Sequence, residues 1–139
     1  VVGSYFVQTE QLIWEAFALS VPVGLIAAAI LLVNNIRDAD TDRRAGKRTL
    51  AVRLGRDGAR GLFVGCLVLA YLAVPLIAVF GHGISPLVLL ALLSLPRAVP
   101  LVRIVRERTD GPSLNEALAR TGMLLALFSL LLSIGLLAS

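Results

Sequence analysis

Uncharged apolar runs alternate with short charged segments along this chain, and the runs have the length that a bilayer demands. Ala16 to Ile36 holds no Asp, Glu, Lys or Arg, and the same is true of Gly61 to Pro96 and of Thr121 to Ser139. A helix needs about 20 apolar residues to cross the hydrocarbon core. Gly61 to Pro96 is too long for one crossing and is interrupted by Gly81-His82-Gly83, which predicts a tight turn between two helices. Four spans are therefore expected, at about Leu12–Ile36, Gly61–Phe80, Ser85–Val105 and Ala117–Ala138. The fold class that follows is all-α: a polytopic membrane bundle of about four helices, with residues 1–139 belonging to a single domain.

Composition agrees with this medium. Hydrophobic residues make up 58% of the chain and the mean hydropathy is +0.88, against about 45–50% apolar residues in a soluble globular domain. The basic residues give the orientation. Arg37, Arg43, Arg44, Lys47, Arg48, Arg53, Arg56 and Arg60 fall in the first connection, and Arg103, Arg106, Arg108 and Arg120 fall around the third. With four spans these two connections share a side, which the bias of Lys and Arg makes cytoplasmic. The formal net charge of +4 is then explained by topology and by anionic headgroups. No nucleic-acid motif accompanies it, so nucleic acid is not expected as a partner, whereas a lipid bilayer is.

Other features change the picture less. Cys66 is the single cysteine, so it forms no internal disulfide and reads as a small buried hydrophobe. The opening Val1-Val2-Gly3-Ser4-Tyr5-Phe6-Val7 resembles the tail of an earlier span, and no charged leader with a cleavage site precedes it. The expectation is that these residues are the C-terminal portion of a longer protein. Tyr5, Gln8 and Trp14 read as interface anchors or packing.

The chemistry concentrates in Asn34-Asn35-Ile36-Arg37-Asp38-Ala39-Asp40-Thr41-Asp42-Arg43-Arg44-Ala45-Gly46-Lys47-Arg48-Thr49. If the helix continues through it, Asp38 and Asp42 lie one turn apart on one face, Asn34 precedes them on that stripe, and Asp40 points away. Magnesium is typically held by one or two carboxylates, with water and substrate phosphate completing its octahedron. Asp38 and Asp42 could supply those carboxylates. Arg43, Arg44, Lys47 and Arg48 could supply the positive field and hydrogen-bond donors that a diphosphate needs. The plainer alternative is a solvated loop of mixed charge at the end of a membrane helix.

Competing chemistries fit less well. Gly46-Lys47 is not a nucleotide P-loop, because Thr41 and Arg48 stand where that motif needs Gly and Ser or Thr. His82 is the only histidine and lies at the opposite membrane face, where a turn residue is expected. Zinc or iron ligation lacks partners. Arg97 sits inside a span between Pro96 and Pro100. It either lines a cavity or snorkels to the interface.

The run Asn34 to Asp42, followed by Ala45-Gly46-Lys47-Arg48-Thr49-Leu50-Ala51-Val52-Arg53-Leu54-Gly55, closely resembles the second aspartate-rich motif and following loop of the UbiA superfamily of intramembrane aromatic prenyltransferases. Within it the run is most similar to members that prenylate 1,4-dihydroxy-2-naphthoate on the way to menaquinone. The opening Gly3-Ser4-Tyr5-Phe6-Val7-Gln8-Thr9 and the last apolar helix also fit, so the resemblance covers the whole chain. It implies a fold of nine transmembrane helices around a cavity, with two aspartate-rich motifs facing each other near the cytoplasmic surface. It also implies Mg2+ as cofactor, a polyprenyl diphosphate donor, and 1,4-dihydroxy-2-naphthoate or a related aromatic acceptor. Departure of diphosphate leaves an allylic cation that the ring attacks, with loss of the carboxyl group giving demethylmenaquinone.

Carried over residue by residue, Asp38 and Asp42 match metal-binding and catalytic aspartates. Arg43, Lys47 and Arg48 fall where the diphosphate would lie, and Asn34 and Arg97 are possible supporting residues. The first aspartate-rich motif has no counterpart among these residues, so half of the metal site is expected upstream, and the fragment alone is expected to be inactive. The competing class is a non-enzymatic transporter half or an anion-binding membrane scaffold. An upstream acidic cluster would favour the enzyme, and an inverted repeat of the four-helix pattern the transporter.

Overall fold

A computed structural model describes residues 1–81 and 84–138. The elements run α1 (Val2–Thr9), α2 (Trp14–Arg44), α3 (Leu50–Phe80), a 3-10 segment (Pro86–Ser94), α4 (Leu95–Glu107) and α5 (Gly111–Leu137). The described residues contain no strand. Four stretches are long and apolar enough to cross a membrane, the 3-10 segment and α4 together forming the third.

Each span buries one stripe at helical spacing. On α2 the stripe is Ala16, Leu19, Pro22, Ile26, Ala29, Leu32 with Val33, Asn35 with Ile36, Ala39 and Asp42. On α3 it is Ala59, Phe63, Leu67, Ala70 with Tyr71, and Val74, and on α5 it is Leu114, Ala117, Thr121, Leu124, Phe128, Leu132 and Gly135. The third span changes period halfway. Val88, Ala91 and Ser94 are spaced by three, matching the three residues per turn of a 3-10 helix, and Ala98, Leu101 and Val105 then follow at α spacing. Pro96 stands in the first turn of α4, where a missing N–H costs no intrahelical bond. Pro100 stands inside it and leaves the Pro96 carbonyl without its usual donor.

Two details fix the 3-10 segment in place. The Ser94 hydroxyl donates to the Ala91 carbonyl at 2.7 Å, which leaves its oxygen to accept from the Tyr71 hydroxyl, also at 2.7 Å. Both hydroxyls are thereby satisfied at a depth where water is absent. Tyr71 also meets Phe128 edge to face, with ring centroids 5.6 Å apart, so one side chain joins α3, the third span and α5. The second detail is Gly135. A Cβ there would overlap the Leu87 carbonyl oxygen and come within 2.8 Å of the Val88 amide nitrogen. Only glycine permits this backbone approach, the usual device of close membrane-helix packing. Gly135→Ala should therefore destabilise the protein by about 1–3 kcal/mol through overpacking. Gly122→Ala, with open space around its Cβ position inside α5, should be neutral or stabilising by up to about 1 kcal/mol. Denaturant titration in bicelles measures both, and equal effects would remove the packing argument.

The spans match expectation in number and order, with shifted ends. α2 continues eight residues past Ile36, and α3 begins at Leu50 instead of Gly61, leaving helical geometry once at Gly55 (φ 74°, ψ 167°). Lack of charge marks the part of a helix inside hydrocarbon, whereas hydrogen bonding carries the same helix on into water. The opening residues form the separate helix α1, which buries no side chain and ends at Glu10 in the left-handed region (φ 56°). The turn expected at Gly81-His82-Gly83 falls largely on residues 82 and 83, which lie outside the described residues.

Candidate functional site

The charged ends of α2, α3, α4 and α5 meet at one end of the bundle. Because α2 stays helical through the acidic run, its geometry sorts the three aspartates. A residue advances about 100° per step, so Asp42 lies about 80° from Asn34 but only about 20° from Asn35. Asp42 accordingly ends the buried stripe at 9% exposure, while Asp38 is half-buried and Asp40 exposed. The expected single stripe Asn34–Asp38–Asp42 is in fact a slow spiral. It leads from an edge of the helix into the bundle.

Arg37 organises the edge. Its guanidinium donates twice to Asp38, at 2.8 Å to each carboxylate oxygen, once to Asn34 Oδ1 at 2.8 Å, and once to Asn115 Oδ1 on α5 at 2.8 Å. Both donors to Asp38 lie in the planar fork that suits a carboxylate. Asn34 and Asp38 are thus brought together through an arginine that also ties α2 to α5.

Asp42 is reached differently. Beyond α2, Gly46 adopts φ 71°, the Gly46 amide donates to Arg43 O at 3.2 Å, and the Lys47 amide donates to Asp42 O at 2.9 Å. This is the glycine-terminated helix end in which the chain folds back on its last turn. The fold-back sets Lys47 Nζ 3.4 Å from Asp42 Oδ1. Asp42 has no other side-chain partner among the described residues. Arg43, Arg44 and Arg48 are exposed and make no ion pair or hydrogen bond through their side chains among the described residues. Thr49, next along, buries its hydroxyl without a hydrogen-bond partner.

Two arginines of α3 brace the site from behind. Arg56 pairs with Asp40 at 2.9 Å. Arg60 donates to the carbonyls of Val105 at 3.0 Å and Arg108 at 2.8 Å, capping the end of α4 where carbonyls lack intrahelical donors. Asp110 starts α5 by accepting from the Ser113 amide at 2.9 Å, and hydrogen bonding by Ser113, through its side chain first and its amide second, holds the Asp110 carboxyl below the usual range. Arg97 is not part of this cluster. It lines a separate cavity between α4 and α5.

The donor set fits a hard cation held partly by a substrate. Among the described residues no three His, Cys, Asp or Glu side chains come together. Asp38 and Asp42 therefore offer two carboxylates, enough for magnesium only when phosphate and water complete the shell. The exposed arginines and Lys47 are donors of the kind a phosphate accepts from.

Several site residues were not singled out from sequence. Asn115 sits in an ordinary polar first turn of α5, and only the tertiary fold gives it to Arg37. Asn35 is buried at 9% exposure with no side-chain hydrogen bond among the described residues, and its seven-residue spacing from Asp42 is a legible helical signal. Gly46 after Arg43-Arg44-Ala45 carries the ordinary helix-stop signal, which places Lys47 next to Asp42.

Comparison with known proteins adds an independent line. The model of the UbiA prenyltransferase family matches residues 1–128. A 1,4-dihydroxy-2-naphthoate octaprenyltransferase of Bacillus subtilis is 33% identical over 139 residues, covering 100% of this chain and 44% of that protein. The Escherichia coli protein of the same name is 34% identical over 140 residues, covering 100% of this chain and 45% of its own length. The UbiA prenyltransferase domain-containing protein 1 homolog of Drosophila melanogaster is 38% identical over 107 residues, 77% of this chain and 29% of that protein. The chain thus spans less than half the length of these relatives. No solved structure matches it.

Proposed function

The chain belongs to the UbiA prenyltransferase family, and on that premise we propose that the full-length protein transfers a polyprenyl group from its diphosphate to 1,4-dihydroxy-2-naphthoate or a close analogue. The observation that carries this reading is the end of α2, where Asp38 and Asp42 stand beside Lys47, Arg43 and Arg48 directly above an apolar span. That arrangement suits a diphosphate held at the edge of hydrocarbon. A polyprenyl diphosphate has the same division, with a charged head and a chain soluble only in lipid. Names of relatives that specify a naphthoate acceptor and an octaprenyl group support the substrate class.

In the proposed reaction the allylic C–O bond breaks and its electron pair leaves with diphosphate. A ring carbon of the acceptor forms the new C–C bond, and the ring carboxylate departs as carbon dioxide, returning its bonding pair to the ring. Asp38 and Asp42 would hold Mg2+, which when bound supplies Lewis-acid neutralisation of the leaving group. Lys47 places a point charge at Asp42 and toward the phosphates. Arg43 and Arg48 can each fork onto phosphate oxygens. Arg37 keeps Asp38 and Asn34 oriented so that the carboxylate is already in place when substrate arrives. The apolar helices exclude water from the reacting carbon. By the placement of Lys and Arg this end faces the cytoplasm of a bacterial-type plasma membrane.

The test is prenyl transfer by the full-length protein in membranes, supplied with polyprenyl diphosphate, 1,4-dihydroxy-2-naphthoate and Mg2+. A prenylated 1,4-naphthohydroquinone is the expected product, read as its quinone after oxidation by air during extraction. Lys47→Ala should raise KM for the prenyl diphosphate by about fivefold to tenfold while leaving KM for the acceptor nearly unchanged, because the charge it removes faces phosphate. Absence of product overturns the reaction, and a change confined to the acceptor overturns the role of Lys47.

A further inference from the structure

Outside the acidic end, a cavity between α4 and α5 sets two arginines against an apolar wall. It has a volume of about 230 Å³ and is lined by Arg97 and Pro100 of α4 and by Arg120, Met123 and Leu124 of α5. Arg97 lies ten residues before the end of α4 at Glu107, and Arg120 nine residues after the start of α5 at Gly111. At about 1.5 Å per residue both sit about 14 Å from the same end of the bundle, although they come from antiparallel helices. Two guanidinium groups therefore share one depth and one cavity. Arg120 has a counter-charge, Glu116, one turn earlier on its own helix. Arg97 makes no ion pair or hydrogen bond through its side chain among the described residues.

An arginine within an apolar span is costly unless an anion or water meets it, and a second arginine beside it raises that cost. Arg97 and Arg120 carry two positive charges against the single negative charge of Glu116, so the group lacks one anion. Pro100, Met123 and Leu124 add apolar surface beside the guanidinium groups. We propose that this cavity binds an anionic amphiphile, with a phosphate or carboxylate forked by Arg97 and Arg120 and the adjoining apolar portion lying against Pro100, Met123 and Leu124. An acidic phospholipid and an anionic substrate share that chemistry. The site is distinct from the aspartate-rich end of α2, and the lipid source requires no prenyl transfer.

The experiment uses the full-length protein. In the first arm, native mass spectrometry measures retention of phosphatidylglycerol against phosphatidylcholine in wild type, Arg97→Gln, Arg97→Lys and Arg103→Gln. Arg97→Gln should weaken phosphatidylglycerol binding about fivefold, because it removes the unpaired charge and one fork from the cavity itself. Arg97→Lys should lose less, since it keeps the charge and lacks only the fork, and it serves as the folded reference should Arg97→Gln express poorly. Arg103→Gln, on the same helix but outside this cavity, should change retention by less than twofold. In the second arm, which rests on the transfer reading, steady-state kinetics measures KM for the acceptor and for the prenyl diphosphate. Weakened lipid retention confined to Arg97 variants supports the site with a lipid occupant. Unchanged lipid retention with a raised KM for the naphthoate acceptor alone supports it with that carboxylate as occupant, and a raised KM for prenyl diphosphate alone overturns it. If Arg103→Gln weakens lipid binding as much as Arg97→Gln, or if neither arm responds, the proposal is overturned.

Discussion

Asp42→Asn in the full-length protein should lower kcat/KM for prenyl transfer by about 100-fold or more, while Asp40→Asn should cost about fivefold at most. The two substitutions are chemically identical and two residues apart, so any difference reports the helix face. Asp42 ends the buried stripe of α2 and meets Lys47 at 3.4 Å. On the proposed reading, removing its charge takes away a metal ligand as well as the partner that holds Lys47. Stabilising a departing diphosphate is an electrostatic task for which one fixed group is commonly worth a factor of about 10² to 10³. Asp40 instead points to solvent with its side chain 62% exposed and pairs with Arg56, and an exposed pair of this kind contributes about 0–1 kcal/mol. Asp38→Asn should fall on the Asp42 side, because it also loses the two-pronged bond from Arg37. The assay is product formation in membranes containing each variant at matched protein level. Equal losses at positions 40 and 42 would mean that the helix does not sort them, and the site would have to be rebuilt around a different face.

This sorting also marks how far the sequence could be read. The four spans were legible because charge is costly in hydrocarbon, so a long gap in Asp, Glu, Lys and Arg records most of each span. Their ends were not, since α2 and the start of α3 run on through charged residues where water tolerates any helix with a good hydrogen-bond ladder. The halfway change of period in the third span was written in Val88, Ala91 and Ser94, but a spacing of three also occurs in α-helices and becomes distinctive only when repeated against a partner. The four-residue spacing of Asp38 and Asp42 placed them about one turn apart on α2, as they are. Their unequal burial follows from the drift of that spacing against 3.6 residues per turn. Asn115 was not legible at all, because it lies 78 residues from Arg37 in sequence and nothing in its own neighbourhood marks it. The cavity between Arg97 and Arg120 is intermediate. Arg97 stood out as a charge inside a span, whereas its pairing in depth with Arg120 required the antiparallel packing of α4 and α5.

The 139-residue chain on its own should insert in membranes and yet give no detectable prenyl transfer, and co-expression with the upstream portion of the full-length protein should restore it. In each of the four spans only 28–33% of the most apolar window is buried within the chain. The rest, including Phe17, Leu31, Leu69 and Leu72, faces outward, where lipid can replace protein at little cost because acyl chains are as apolar as leucine. Insertion therefore does not depend on further helices. Catalysis does, for two separate reasons. On the proposed reading, the residues present offer two carboxylates for a cation that neutralises a diphosphate, and no third His, Cys, Asp or Glu among the described residues joins them. A cavity walled on one side also leaves the reacting carbon open to water and lipid, so the advantage of fixed geometry is lost even if substrate binds. Expression of the chain alone, of the upstream portion alone, and of both together, followed by measurement of prenylated naphthoquinone, separates these cases. Turnover by the chain alone would show that two carboxylates and one wall suffice, which would place the whole metal and diphosphate site on the end of α2 and leave no chemical role for an upstream acidic motif.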